Sequence, residues 1–372
     1  MSSSDNYSSS TGSKDVGLEL DGHTWQFDTN RLAKVLSPKT RKFSFKPDQV
    51  DSLDAYIDST IPNKVRQDAI TFFGSPPTFP ESNSEPDHYE PLCKLLNKCV
   101  EACHKALGDL KGEYYRDLNF VEWDTTTQDG CFDGYPLKPD LAGGINLPER
   151  KEIKTNGGLY WRRPGSNGHE LLIPVEVKAG WQDLVRQAGT YAHCLFTASP
   201  LREFALVLGY EHLLQECRIL VFHRGGLTSS PALKLDANGI KDLLHIFLAI
   251  MSWKTVVDAG LPLWCNDSNM ILPSAKGFQV VQVKEVLHDI LTLRLRSRWT
   301  RVVLVCESDE SKSNPTIPAP ESMCAPHLQS CEGARQAWSL SSFLVLGTCA
   351  YHFMFSLKHE TYVQDGNRRV SY

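Results

Sequence analysis

Two short stretches decide the fold of this chain: Lys138-Pro139-Asp140 and Pro174-Val175-Glu176-Val177-Lys178. Side chains alternate along an extended backbone. Read as a strand, the second stretch therefore sets Glu176 and Lys178 on one face and Val175 and Val177 on the other. The valines enter a core while an acid and a base stand together at its margin, and Asp140, from a neighbouring strand, adds a second carboxylate. Two carboxylates beside an ammonium are the minimal set for holding a divalent cation next to a phosphate. Asp140 and Glu176 would be the carboxylate ligands, the main-chain carbonyl of Val177 a third oxygen, and Mg2+ the ion suited to such donors. Lys178 would orient or help deprotonate a metal-bound water, or neutralise charge on the phosphate. Another KPD, Lys46 to Asp48, is read as a decoy.

Outward from this pair, periodicity predicts the supporting elements. In residues 87–110, Leu92, Leu95, Leu96, Cys99, Val100, Cys103 and Leu107 recur at helical spacing, with Asp87 able to cap the start and Glu90 in the first turn. Glu90 is a candidate third acid for the metal, with Glu101 behind it. LNFVEWD (118–124) and the residues after Asp140 read as strands. LPERKEIKTNGG reads as a loop, and a hairpin around PGSNG leads into the PVEVK strand. A helix from Trp181 follows, carrying Gln187 and Tyr191 four residues apart and so on one face. REFALVLGY and CRILVFHRGG read as strands, and 239–253 as an apolar-faced helix. The order predicts an α/β fold with a mixed central sheet flanked by helices.

The remainder divides by composition. Residues 1–16 are Ser-rich and read as disordered, without the apolar core of a secretory signal. Residues 17–84 form an N-terminal helical segment ending in the Pro/Ser-rich linker 73–86; residues 85–256 form the α/β domain. Residues 257–305 form a connector, and 306–372 a flexible linker and irregular tail. Within the tail, Ala337 to Leu357 lacks formal charge and approaches membrane-spanning length, but its serines, glycine and histidine favour a buried helix or non-native tail over a span.

The formal net charge of -5 disfavours wholesale wrapping of nucleic acid, though not a local basic cleft. Arg294, Arg296, Arg298 and Arg301 with Trp299 could touch phosphates, but read more simply as charges on a solvated strand. The 11 cysteines include no C-x-x-C and no zinc-ligand spacing. They read as reduced thiols of a cytoplasmic or nuclear protein. No phosphate-binding P-loop and no nucleophile elbow occurs.

Taken in order, Asp140, Glu176-x-Lys178 and Gln187-x-x-x-Tyr191 resemble the PD-(D/E)xK pattern of the restriction-endonuclease-like fold, the last pair as in RecB-like nucleases. The resemblance implies Asp140, Glu176, Val177 and Glu90 around a metal, with Lys178, Gln187 and Tyr191 completing a catalytic site. The stretch 174–231 also resembles the N-terminal region of the fungal-type protein kinases of mushroom-forming fungi. Glu176, Lys178, Gln187, Tyr191, Ala192, Arg202, Phe204, Arg224, Gly226 and Ser229 or Ser230 match, while His223 stands where that family has Asp. That resemblance implies a following kinase domain, of which LRSRWTRVVLV (295–305) looks like a remnant. Ser297 and Trp299 replace glycines that would let backbone approach a phosphate. No HRD-type loop or DFG follows, so kinase activity is not expected.

Two functions follow. One is a non-catalytic or regulatory module of a kinase-family protein lacking its catalytic core, with a protein partner. The other is a Mg2+-dependent phosphodiesterase or nuclease acting on nucleic acid through Asp140, Glu176 and Lys178.

Overall fold

The computed structural model describes residues 16–37, 61–127, 137–161, 168–199, 202–256 and 258–261. It also describes, as backbone strands alone, residues 269–274, 277–289, 300–307 and 342–347. Of the segment 1–16, only Val16 is among them. In chain order, β1 (Thr24–Gln26) leads to α1 (Thr29–Leu36), capped by Asp28, whose carboxylate accepts the Arg31 N–H at 2.9 Å. Then come α2 (Asn63–Phe73), a 3-10 turn at Glu85–His88 and α3 (Tyr89–Leu107). The apolar positions of α3 are buried as their spacing predicts. Asp87 does not cap it: it lies inside the 3-10 turn and accepts the Ser82 hydroxyl at 2.5 Å.

β2 (Leu118–Glu122) and β3 (Leu141–Ile145) follow, and the segment read as a loop contains a short helix, α4 (Arg150–Thr155). The expected hairpin differs as well. β4 (Leu159–Tyr160) and β5 (His169–Glu170) pair in parallel, so they are not the two arms of a tight antiparallel turn. β6 (Ile173–Lys178), α5 (Trp181–Ala198), β7 (Phe204–Glu211), β8 (Glu216–His223), β9 (Gly226–Ser229), β10 (Leu233–Lys234) and α6 (Ala237–Met251) complete the series.

One mixed sheet organises these elements, in the order β1-β9-β8-β7-β6-β3-β2, with β10 pairing β8. β6 runs antiparallel to β3 and parallel to β7, and β1 runs parallel to β9. Helices cover both faces, which is why every residue of β6 except Lys178 is buried. Val175 and Val177 join α1, α2, α3 and α6 in one apolar cluster. Leu184, Ala188, Tyr191 and Leu195 of α5 join Ala205 and Val207 in another on the opposite side. The segment 17–84 is not set apart from this sheet. β1 lies in it, Leu32 and Leu36 of α1 are in the first cluster, and Trp253 Nε1 donates to Leu36 O at 2.6 Å.

A second, antiparallel sheet of backbone strands runs β11 (Asn269–Ser274), β12 (Gly277–Asp289), β13 (Thr300–Glu307) and β14 (Ser342–Gly347). β14 lies within the stretch expected to be an irregular tail or buried helix, and is a strand paired with β13. Among the described residues, no helix is long and apolar enough to cross a membrane. The N-lobe-like reading of 295–305 rests partly on residues outside the described ones. So does the arginine cluster, of which only Arg301 lies in a described strand, β13.

Candidate functional site at the end of the central strands

The antiparallel register of β3 with β6 places Leu141 opposite Val175, so Asp140 reaches the exit of β6. Its Oδ2 accepts the Val177 N–H at 2.8 Å, and its Oδ1 accepts the Tyr89 hydroxyl at 2.6 Å. Glu176 projects to the α5 side, where Tyr191 donates to its Oε2 at 2.5 Å. Gln187 Nε2 donates to the Tyr191 oxygen at 3.4 Å, so its contact with the cluster runs through Tyr191. The close approach of α5 depends on Gly209, which pairs with Glu176 in the β6–β7 register; a Cβ there would stand 2.4 Å from Leu184 Cδ2.

Lys178 closes the arrangement. Its ammonium donates to Glu176 Oε1 at 2.7 Å, to Val177 O at 2.8 Å and to Glu85 Oε1 at 2.8 Å, and lies 3.8 Å from Asp140 Oδ2. Three carboxylates thus surround one ammonium. Asp140 is 4% and Glu176 2% exposed. Burial raises the Asp140 carboxyl above the usual range, against the opposing pull of Lys178 and of the bonds from Tyr89 and Val177. Burial, and then the charge of Asp140, push Glu176 to about 8, again against Lys178 and Tyr191. Burial alone would lower Lys178, but Glu176 and Asp140 outweigh it and hold the ammonium firmly charged.

Sequence reasoning placed Asp140, Glu176, Val177, Lys178, Gln187 and Tyr191, and the fold gathers them. Glu90 is a correction. Its carboxylate is 67% exposed and pairs with Lys94 at 2.6 Å. Successive residues on a helix point about 100° apart, and it is Tyr89 that turns to the sheet. Glu101 likewise pairs outward, with Lys105. The third acid is instead Glu85, from the 3-10 turn. Tyr89 and Glu85 were missed, since neither belongs to a motif and only the tertiary path of the chain brings them in. Beside the cluster lies His212, whose backbone N–H donates to Lys178 O at 3.0 Å and whose ring lies 5.1 Å from that of His88.

The arrangement does not offer a cation three open oxygens. The oxygens expected to hold a metal already surround the Lys178 ammonium, and among the described residues no group of three His, Cys, Asp or Glu side chains is placed to hold a metal ion. A scan against protein-family models found no match, nor did searches of curated proteins and of solved structures.

Proposed function

We propose that this chain is a fungal-type protein kinase family protein lacking the kinase catalytic core. It would be built on a restriction-endonuclease-like module whose Lys178 cluster is a structural ion-pair network, serving regulation or a protein partner. One observation carries the non-hydrolytic reading: the lysine ammonium sits within 2.8 Å of Glu176 Oε1 and Val177 O, among the very oxygens a metal would need. Support for the module comes from the antiparallel β2–β3–β6 run, the parallel β7 after α5, and α3 and α5 on opposite faces. Among the described residues, Cys93, Cys99, Cys103 and Cys217 stand as thiols outside any disulfide, which suits a reducing cytoplasmic or nuclear setting.

Melting in Mn2+ tests this. The wild-type midpoint is expected to stay put. Lys178→Met strands two buried carboxylates without their cation, at a cost of about 3–5 kcal/mol, and Mn2+ is expected to restore part of that loss. A wild-type midpoint that rises in Mn2+, with the rise abolished by Asp140→Asn, would overturn the reading.

A second reading, Mg2+-dependent hydrolysis of nucleic acid, is favoured by one arrangement: Asp140 and Glu176 meet at the end of β6 with the Lys178 ammonium 3.8 and 2.7 Å from their oxygens. Cleavage of DNA or RNA in Mg2+ that disappears in Lys178→Ala would establish it.

A further inference from the structure

The sheet carries a second set of polar groups, at the end away from Lys178. Strands β6 and β7 run parallel, with Lys178 beside Glu211 at one end. Arg202 lies at the other, just before β7 starts at Phe204, so the length of the strand, about 25 Å, separates the two. Carried back along the chain, the register that sets Val175 beside Leu208 brings Arg202 level with His169. His169 and Glu170 line a cavity of about 370 Å3, together with Ile145, Asn146, Gly168 and Leu172.

Trp253 fixes this end of the sheet. Its carbonyl accepts the Tyr114 N–H at 3.1 Å, and the Phe204 ring meets its indole edge-on at 5.9 Å. Tyr114 is half-buried and packs on the same apolar cluster as Ile145 and Leu172 of the cavity wall. Burial pushes its hydroxyl up to about 12; the charge of Arg202 opposes this rise and that of Glu170 adds to it. Arg202 and Glu170 therefore both stand within electrostatic reach of one hydroxyl.

Arg202 itself is 5% exposed. Nε and Nη2 of its guanidinium are shut off from solvent and have no hydrogen-bond partner, and none of the ion pairs of the described residues includes it. Those two nitrogens form the edge of the fork that grips a carboxylate through two parallel bonds. A cation buried without an anion lowers stability, and a bound anion would remove that penalty. We propose that Arg202 is the receptor for the carboxylate of a small organic acid, held on the Nε–Nη2 edge while the body of the acid occupies the adjoining cavity. One cation with the Glu170 carboxylate nearby suits a single negative charge and disfavours a phosphate dianion. Since the fork is closed to solvent, entry needs a side-chain movement, for which half-buried Tyr114 is placed.

Thermal melting of the full-length protein tests this, with sodium acetate and sodium propionate set against sodium chloride and sodium phosphate at equal ionic strength. A carboxylate at about ten times its half-saturating concentration is expected to raise the wild-type midpoint by about 3 °C. Chloride is expected to leave the midpoint in place, and phosphate to raise it less than acetate does. Arg202→Met keeps the stem and removes the charge. It is expected to melt no lower than the wild type in chloride, because an unpaired buried charge is gone, and to lose the carboxylate response. Arg202→Lys is the companion variant, should the methionine variant fold poorly by circular dichroism. It keeps the charge without the fork, and its response is expected to fall about fivefold or more.

A midpoint that acetate and propionate leave where chloride sets it would overturn the site. So would a rise of full size in both Arg202 variants. A phosphate rise equal to that of acetate would overturn the choice of a carboxylate. The site is remote from Lys178 and its test does not involve Mn2+, so it stands or falls separately from the function proposed above.

Discussion

Glu176 is an acid whose proton the fold holds more tightly than an unfolded chain does. Its folded value of about 8 lies above the ordinary 4.5 of an unfolded chain, because burial and Asp140 disfavour its charge more than Lys178 and Tyr191 favour it. A raised folded value means that the native state binds the extra proton. The corresponding stability is complete below about 4.5 and is lost as pH rises through about 8. Relative to Glu176→Gln, the wild type is expected to lose up to about 1.4 kcal/mol per pH unit across that window, measured as urea unfolding at a series of pH values. A stability difference that is flat with pH would refute the assignment. Asp140, Glu176 and Lys178 were legible in sequence because strand alternation fixes which neighbours share a face. Glu85 and Tyr89 were not legible, since a 3-10 turn leading into a helix imposes no repeat from which an inward-pointing side chain can be read.

Among the elements, α5 is the one whose seating the cluster depends on. Gly209 leaves room for Leu184, and this closeness lets Tyr191 reach Glu176. Gly209→Val drives a branched side chain into fully buried Leu184, and overpacking of this kind costs about 1–3 kcal/mol. The expected result is a lower urea midpoint with an unchanged slope; an unaltered midpoint would mean that the helix has slack. The elements most legible in sequence were the long periodic ones, α3, α5 and α6, whose apolar faces match their buried residues. The short ones escaped. α4 is polar enough to pass for a loop, and the parallel pairing of β4 with β5 is a long-range choice that glycine turns nearby do not encode.

At the scale of the whole molecule, the boundary expected at residue 84 is crossed by one core. Leu32 and Leu36 pack in the same apolar cluster as α6, and each buried leucine is worth about 1.5–3 kcal/mol. Deleting residues 1–37 removes both leucines, strips β1 from the sheet and frees Trp253 Nε1. That is a large share of the 5–15 kcal/mol typical of a domain. The truncated protein is expected to lose its cooperative denaturant transition, followed by tryptophan fluorescence and circular dichroism together. A sharp transition close to that of the full chain would show that the N-terminal segment is dispensable. Composition hid this, because a Pro/Ser-rich linker reads as a divider wherever it goes. The parallel pairing of β1 with β9, Thr24 beside Leu227, has a further consequence in time. β1 leaves the ribosome ahead of β2, β3, β6, β7 and β8, and its partner β9 emerges after all of them. The nascent chain must therefore carry an unpaired strand while its neighbours in the sheet are made, and β1 can take its place only once β9 is out.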